Sequence, residues 1–194
     1  MALLSKEIDG GILGWVYVDS FTMTGVAAQA ITLSHGYPVY KLYFHNIVLS
    51  ADDQFVEFQF NVNGTAQTEA TDYWYGYNQF DNIAGTEALT ALGDESLEAI
   101  PLFGSTETAS NENPGTDGTA ISQGELTIIG LGSAEASYVK LTSTWQQGTA
   151  QLAHHGLVGG TLVSEVNDGI TILVEGATTM SGSIYIMGLN VPTF

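Results

Sequence analysis

The stretch GITILVEGATTMSGSIYIMGLN (169–190) decides how the chain is read. Over its last residues the side chains alternate: Ile184, Ile186 and Gly188 fall on one side, Tyr185, Met187 and Leu189 on the other. A period of two is the period of a β-strand. Both sides are apolar, so this strand needs cover on both. The segment before it, ITILV (170–174), is apolar and largely β-branched, as a buried strand is. The link GATTMSG (176–182) predicts a turn that joins the two strands as a hairpin. A strand apolar on both faces lies centrally in a sandwich or meets a neighbouring subunit. YKLYFHNIVL (40–49) shares the pattern. An obligate oligomer is therefore expected, with Ile184, Tyr185, Ile186, Met187 and Leu189 as a possible interface strand.

Strand signals continue outward in both directions. WVYVDSFTM (15–23), AQAITLS (28–34), VYKLYFHNIVLS (39–50), QFVEFQFNVNG (54–64) and TDYWYGYNQF (71–80) follow one another with short gaps. After the middle come SLEAIPLF (96–103), ISQGELTIIGLG (121–132), EASYVKLTSTWQQ (135–147), AQLAHHGLVGG (150–160) and TLVSEV (161–166). About ten to twelve short strands in one chain predict a single all-β domain, a two-sheet antiparallel sandwich wound like a jelly roll. The stretch 39–64 predicts a second hairpin, with Asp52 and Asp53 at its tip. GTEALTALGDESLEAI (85–100) is richest in helix formers but is cut by Gly93, which allows one or two helical turns at most. GSTETASNENPGTDGTA (104–120) predicts an exposed loop, and residues 1–14 an N-terminal arm.

Composition narrows the function. The 194 residues suit one domain able to bury about 70% of its unfolded surface. Three lysines, no arginine and 21 acids give a net charge of −18. That charge argues against nucleic acid, because neutralising phosphates takes Lys or Arg. It argues equally against an anionic membrane. A composition so poor in basic residues also suits a saline habitat, where screening relieves self-repulsion. No cysteine is present, so disulfides and thiolate metal sites are excluded. MALLSKEIDG (1–10) has no basic region followed by an apolar run, so no signal peptide is expected. No apolar run approaches the roughly 18 residues of a membrane span, so no membrane insertion is expected.

Candidate chemistry is sparse. His154 and His155 are adjacent, so a strand places them on opposite faces, where they cannot easily share a metal. His35 and His45 stand apart as structural or surface histidines. No serine sits in a G-x-S-x-G elbow. The adjacent acid pairs Asp52–Asp53 and Asp94–Glu95 read as solvated loop acids rather than a glycosidase pair. Asp52, Asp53, Glu112 and Asp117 are the oxygen donors that a calcium ion would use, although EF-hand spacing is absent. No cofactor is expected. YWYGY (73–77) concentrates aromatics: Tyr73, Tyr75 and Tyr77 share one strand face and Trp74 takes the other. Such a row packs a core, anchors a subunit contact, or stacks sugar rings.

The motifs YPVYKLYFHNIVLS (37–50), FQFNVNG (58–64), TDYWYGY (71–77) and ITILVEGATTMSGSIYIMGLN (170–190) occur in an order that resembles a family of bacteriophage virion structural proteins, tail- or fibre-associated or capsid-decorating. The family pattern is a strand ending in an F-x-N-[IV] turn, a strand ending in NG, an aromatic strand, and a terminal SG-x-I-x-L-Y-G-like strand. Here Ile186-Met187-Gly188-Leu189 stands where the family often has Leu-Tyr-Gly-Ile, and Met in place of Tyr removes a hydroxyl. The resemblance implies a jelly-roll-like sandwich, assembly in the virion with other virion proteins, and no catalysis. The expectation is thus a non-enzymatic virion protein, a homo-oligomer and specifically a trimer, on tail, fibre or capsid. The alternative is a carbohydrate- or receptor-binding module of a tail fibre, with a host surface glycan as partner. A glycan-cleaving enzyme is the third reading.

Overall fold

A computed structural model describes residues 14–33, 36–51, 54–69, 72–83, 86–104, 122–147, 151–174, 176 and 178–191. The described residues hold thirteen strands and no helix. In chain order they are β1 (Gly14–Val26), β2 (Ala28–Thr32), β3 (Val39–Leu49), β4 (Val56–Val62), β5 (Thr65–Ala66), β6 (Tyr73–Ile83) and β7 (Thr86–Leu97). Then follow β8 (Ile100–Phe103), β9 (Ser122–Ile129), β10 (Tyr138–Gln147), β11 (Gln151–Thr161), β12 (Asn167–Val174) and β13 (Met180–Asn190). They build two antiparallel sheets. The large sheet has eight strands in the order β1-β13-β3-β9-β10-β11-β6-β7. The small one has five, in the order β2-β12-β4-β5, with β8 also paired to β4. The chain is an all-β, two-sheet sandwich.

One face of each sheet supplies the core. Leu42 and Phe44 of β3, Ile184 and Ile186 of β13, and Leu126 and Ile128 of β9 are buried on the large sheet. Phe58 and Phe60 of β4, with Ile170 and Ile172 of β12, are buried in the same cluster. Each such side chain contributes about 1.5–3 kcal/mol when fully buried. All four residues of β8 are buried, and Phe103 meets Phe44 edge to face at 5.9 Å. The β4–β5 turn uses Asn63 and Gly64, both at positive φ (51° and 75°). Asn-Gly is the pair that a two-residue hairpin turn favours, because both central residues need that conformation. The Gly64 amide then donates to the Asp168 carboxylate, at 3.0 Å to Oδ2.

The winding differs from the expected hairpins. β3 and β4 do not pair, and neither do β12 and β13; each pair crosses from one sheet to the other. So do β1 and β2. These three arches keep the same spatial order in both sheets, β1-β13-β3 in one and β2-β12-β4 in the other, which gives the jelly-roll-like winding. A hairpin and an arch show the same alternation along the chain, so periodicity does not separate them. The segment expected to form helical turns is instead strand β7, paired with β6 from Tyr73↔Leu97 to Ile83↔Thr86. Pairing with β6 outweighs its Ala, Leu and Glu content. Asp94 and Glu95 accordingly lie in a strand, not a loop. TLVSEV (161–166) is also not a separate strand: Thr161 ends β11, and Leu162, Val163 and Val166 are exposed in the link to β12. The expected arm (1–14) and loop (104–120) fall almost wholly outside the described residues.

Candidate functional site

The opening strand shows which surface is left over. In β13, Ile184 and Ile186 face the core, while Tyr185 is 45% exposed on the opposite side. Met187 and Leu189 on that side are half-buried. The outer face of the large sheet is therefore apolar in places and uncovered by any other described part of the chain. Tyr17 on β1, Tyr43 on β3 and Val158 on β11 are 57%, 37% and 53% exposed there.

Register fixes how these side chains line up. One row crosses the sheet through Tyr185, Tyr43, Glu125, Thr142, Gly156 and Asn78. The next row runs through Met187, Lys41, Thr127, Lys140, Val158 and Gly76. At the β13–β3 end the rows carry large side chains. At the β11–β6 end they carry glycines, and Gly76, Asn78, Ala91, Gly156 and Val158 line a shallow open trough of about 480 Å³. A Cβ at Gly156 would meet only open space. Beside the trough, Thr144 Oγ1 and His154 Nδ1 lie 3.0 Å apart.

Charge on this face is unlike that of the chain. Its described charged side chains on the six strands from β13 to β6 are Lys41, Lys140 and Glu125. Lys41 Nζ donates to Glu125 Oε1 at 2.5 Å and lies 5.1 Å from the Trp15 ring centroid. The hydrogen bond to Glu125 holds the Lys41 ammonium above its ordinary pKa. Half-exposed ion pairs of this kind contribute little, about 0–1 kcal/mol, so the pair orients Lys41 more than it stabilises the fold. Lys140 has no ion pair among the described residues.

The other sequence candidates fall elsewhere. Tyr73, Tyr75 and Tyr77 point inward and are 0%, 5% and 3% exposed, so the expected interface or glycan row is core. Tyr73 Oη accepts from the Phe60 amide and donates to the Gln67 carbonyl, both at 2.9 Å, and burial pushes its phenol up. Trp74, on the other face, is half-buried. His154 and His155 do point to opposite faces: His154 is exposed and His155 is buried. Across β10 and β11, His155 is registered with Ser143, and both are sealed in the core, which leaves no room for a substrate at that pair. His45 is exposed. His35, Asp52, Asp53, Glu112 and Asp117 lie outside the described residues. Among the described residues no three His, Asp or Glu side chains converge as metal ligands.

Sequence reasoning missed Tyr17, Tyr43 and the Gly76–Gly156 trough. The signal was present: YKLYF (40–44) interleaves Lys41 and Tyr43 with core residues, and HHGLVGG (154–160) interleaves glycine with valine. By fold and surface the chain is a β-sandwich with one open, tyrosine-bearing sheet face. No family model matches it. No curated protein sequence matches it.

Proposed function

We propose that the chain is a non-enzymatic structural protein of a phage particle that works by self-association, on the tail, fibre or capsid surface. The observation that carries this reading is the outer face of the large sheet, where Tyr17, Tyr43, Tyr185 and Val158 remain exposed on one surface. Large apolar and aromatic side chains left exposed together on one sheet face mark a contact surface more often than bare solvent. Burying it yields about 25 cal/mol per Å² of apolar area. The remaining acidic surface, from a net charge of −18, keeps finished particles apart and off DNA. The particle in this reading rests on the resemblance of the motif order to phage virion proteins. Light scattering at moderate salt tests the reading: a mass that is a multiple of 20.6 kDa is expected, and a monomer throughout the micromolar range overturns it.

A second reading has its own observation. Tyr43 and Tyr185 are exposed cross-strand neighbours, and paired tyrosines on a flat sheet can stack sugar rings. Here the chain is a glycan-binding module, and the Tyr43–Tyr185 pair replaces the buried Tyr73–Tyr77 row. Retention of the protein on immobilised polysaccharide, lost in Tyr43→Ala, would favour it over self-association.

A further inference from the structure

We infer that the outer face of the large sheet is one half of a two-fold symmetric dimer, in which the tyrosine end of each copy fills the glycine trough of the other. This rests on the self-association reading and adds to it the surface, the symmetry and the contacts. The row Tyr185, Tyr43, Glu125, Thr142, Gly156, Asn78 has its midpoint between β9 and β10. Place a two-fold axis there, along the strands and in the plane of contact. Each position then meets its counterpart from the other end of the row: Tyr43 stands over the partner's Gly156, and Tyr185 over the partner's Asn78. In the neighbouring row Met187 meets the partner's Gly76, and the Lys41 stem lies on the partner's Val158. In these two rows larger side chains meet smaller ones at each pair away from the axis. A self-complementary patch is what an isologous contact requires.

Charge and size agree with a second copy as the occupant. On the six strands from β13 to β6 the outward charges are Lys41, Lys140 and Glu125, and the register of β7 adds the positions of Glu87 and Glu95, so this face is close to neutral within a chain of −18. It is therefore a face on which two copies approach without adding to their repulsion. The same axis brings the partner's Glu125 next to Lys140, which has no ion pair in its own chain among the described residues. Eight strands about 4.8 Å apart and four outward rows about 6.7 Å apart cover on the order of 700 Å² in projection. Stable protein contacts bury about 800 Å² per partner.

A complementation experiment tests the pairing. Gly156→Trp fills the trough from a position with open space around it, and Tyr43→Ala removes a knob that is exposed on the sheet face. Unchanged circular dichroism melts check that each variant folds; Lys140→Glu serves as a third variant at a purely surface position. Wild type is expected at twice the chain mass, and each variant is expected to dimerise at least about tenfold more weakly. Mixing Gly156→Trp with Tyr43→Ala restores a heterodimer. The intact knob of the first enters the intact trough of the second, and at the other contact the introduced indole faces the truncated side chain. A wild-type trimer, a Gly156→Trp variant that keeps the wild-type mass, or a mixture that stays monomeric overturns the two-fold pairing and leaves self-association standing. A wild-type monomer overturns both.

Discussion

His155 stands in the core between two rings, 5.2 Å from that of Tyr77 and 5.7 Å from that of Trp145. Neither of its ring nitrogens has a hydrogen-bond partner among the described residues, which is costly for a buried polar group. Burial, with a smaller contribution from His154, pushes its pKa down to about 4. The folded protein thus keeps the ring neutral where the unfolded chain, with a pKa near 6.5, takes up a proton. Stability from this residue is full above about pH 6.5 and is lost as pH falls toward 4, by about 3 kcal/mol in all. Thermal melts of wild type and His155→Leu should therefore diverge between pH 7 and pH 4.5, with wild type losing more; parallel pH profiles would sink the assignment. Gly188 makes a second residue-scale prediction. A Cβ there would collide with the Tyr37 ring, which itself meets Tyr40 edge to face at 5.7 Å. Gly188→Ala is expected to cost about 1–3 kcal/mol in denaturant unfolding, as overpacked sites do. The face-sharing of Tyr73, Tyr75 and Tyr77 was legible from alternation alone. Which face turned inward was not, because Trp74 and Phe80 make the opposite face aromatic as well.

Strands were legible as elements wherever alternation ran through β-branched and aromatic residues, as in β3, β12 and β13. Their connections were not. GATTMSG and SADDQ look like hairpin turns, yet the strands on either side of each lie in different sheets, and what selects an arch is the core that both strands must share. β7 failed for the opposite reason: its residues favour a helix locally, and only the partner strand β6 makes it extended. The candidate face was hidden for a related reason. It is assembled from strands far apart in the chain, so no single segment displays it. The pairing of β1 with β13 offers a direct check at this scale. Thr22 and Ser183 are partners in that ladder. Thr22→Cys with Ser183→Cys should close a disulfide under mild oxidation, seen as a non-reducing gel shift. By the chain-entropy relation a loop of about 160 residues stabilises by up to about 5 kcal/mol. Failure to cross-link would mean that the register is wrong.

For the whole molecule, charge sets the response to solvent. A net charge of −18 on one sandwich is self-repelling, and salt relieves it. Between about 0.01 and 0.15 M ionic strength the screening length falls from about 30 Å to about 8 Å. The unfolding midpoint is expected to rise by a few degrees over that range, and dimerisation to tighten with it; a midpoint that falls with salt would show that attraction, not repulsion, dominates the surface. The pairing of Gly14 with Asn190 has a mechanical side. The start of β1 and the end of β13 leave the sandwich side by side, at one corner of the large sheet. A load applied between them opens the β1–β13 ladder one rung at a time, like a zipper, since its hydrogen bonds run perpendicular to the strands. The same load spread along the strands would meet every rung together. Tethered by that corner the domain yields at low force, and a partner clamped across the outer faces of β1 and β13 is what would make it stiff.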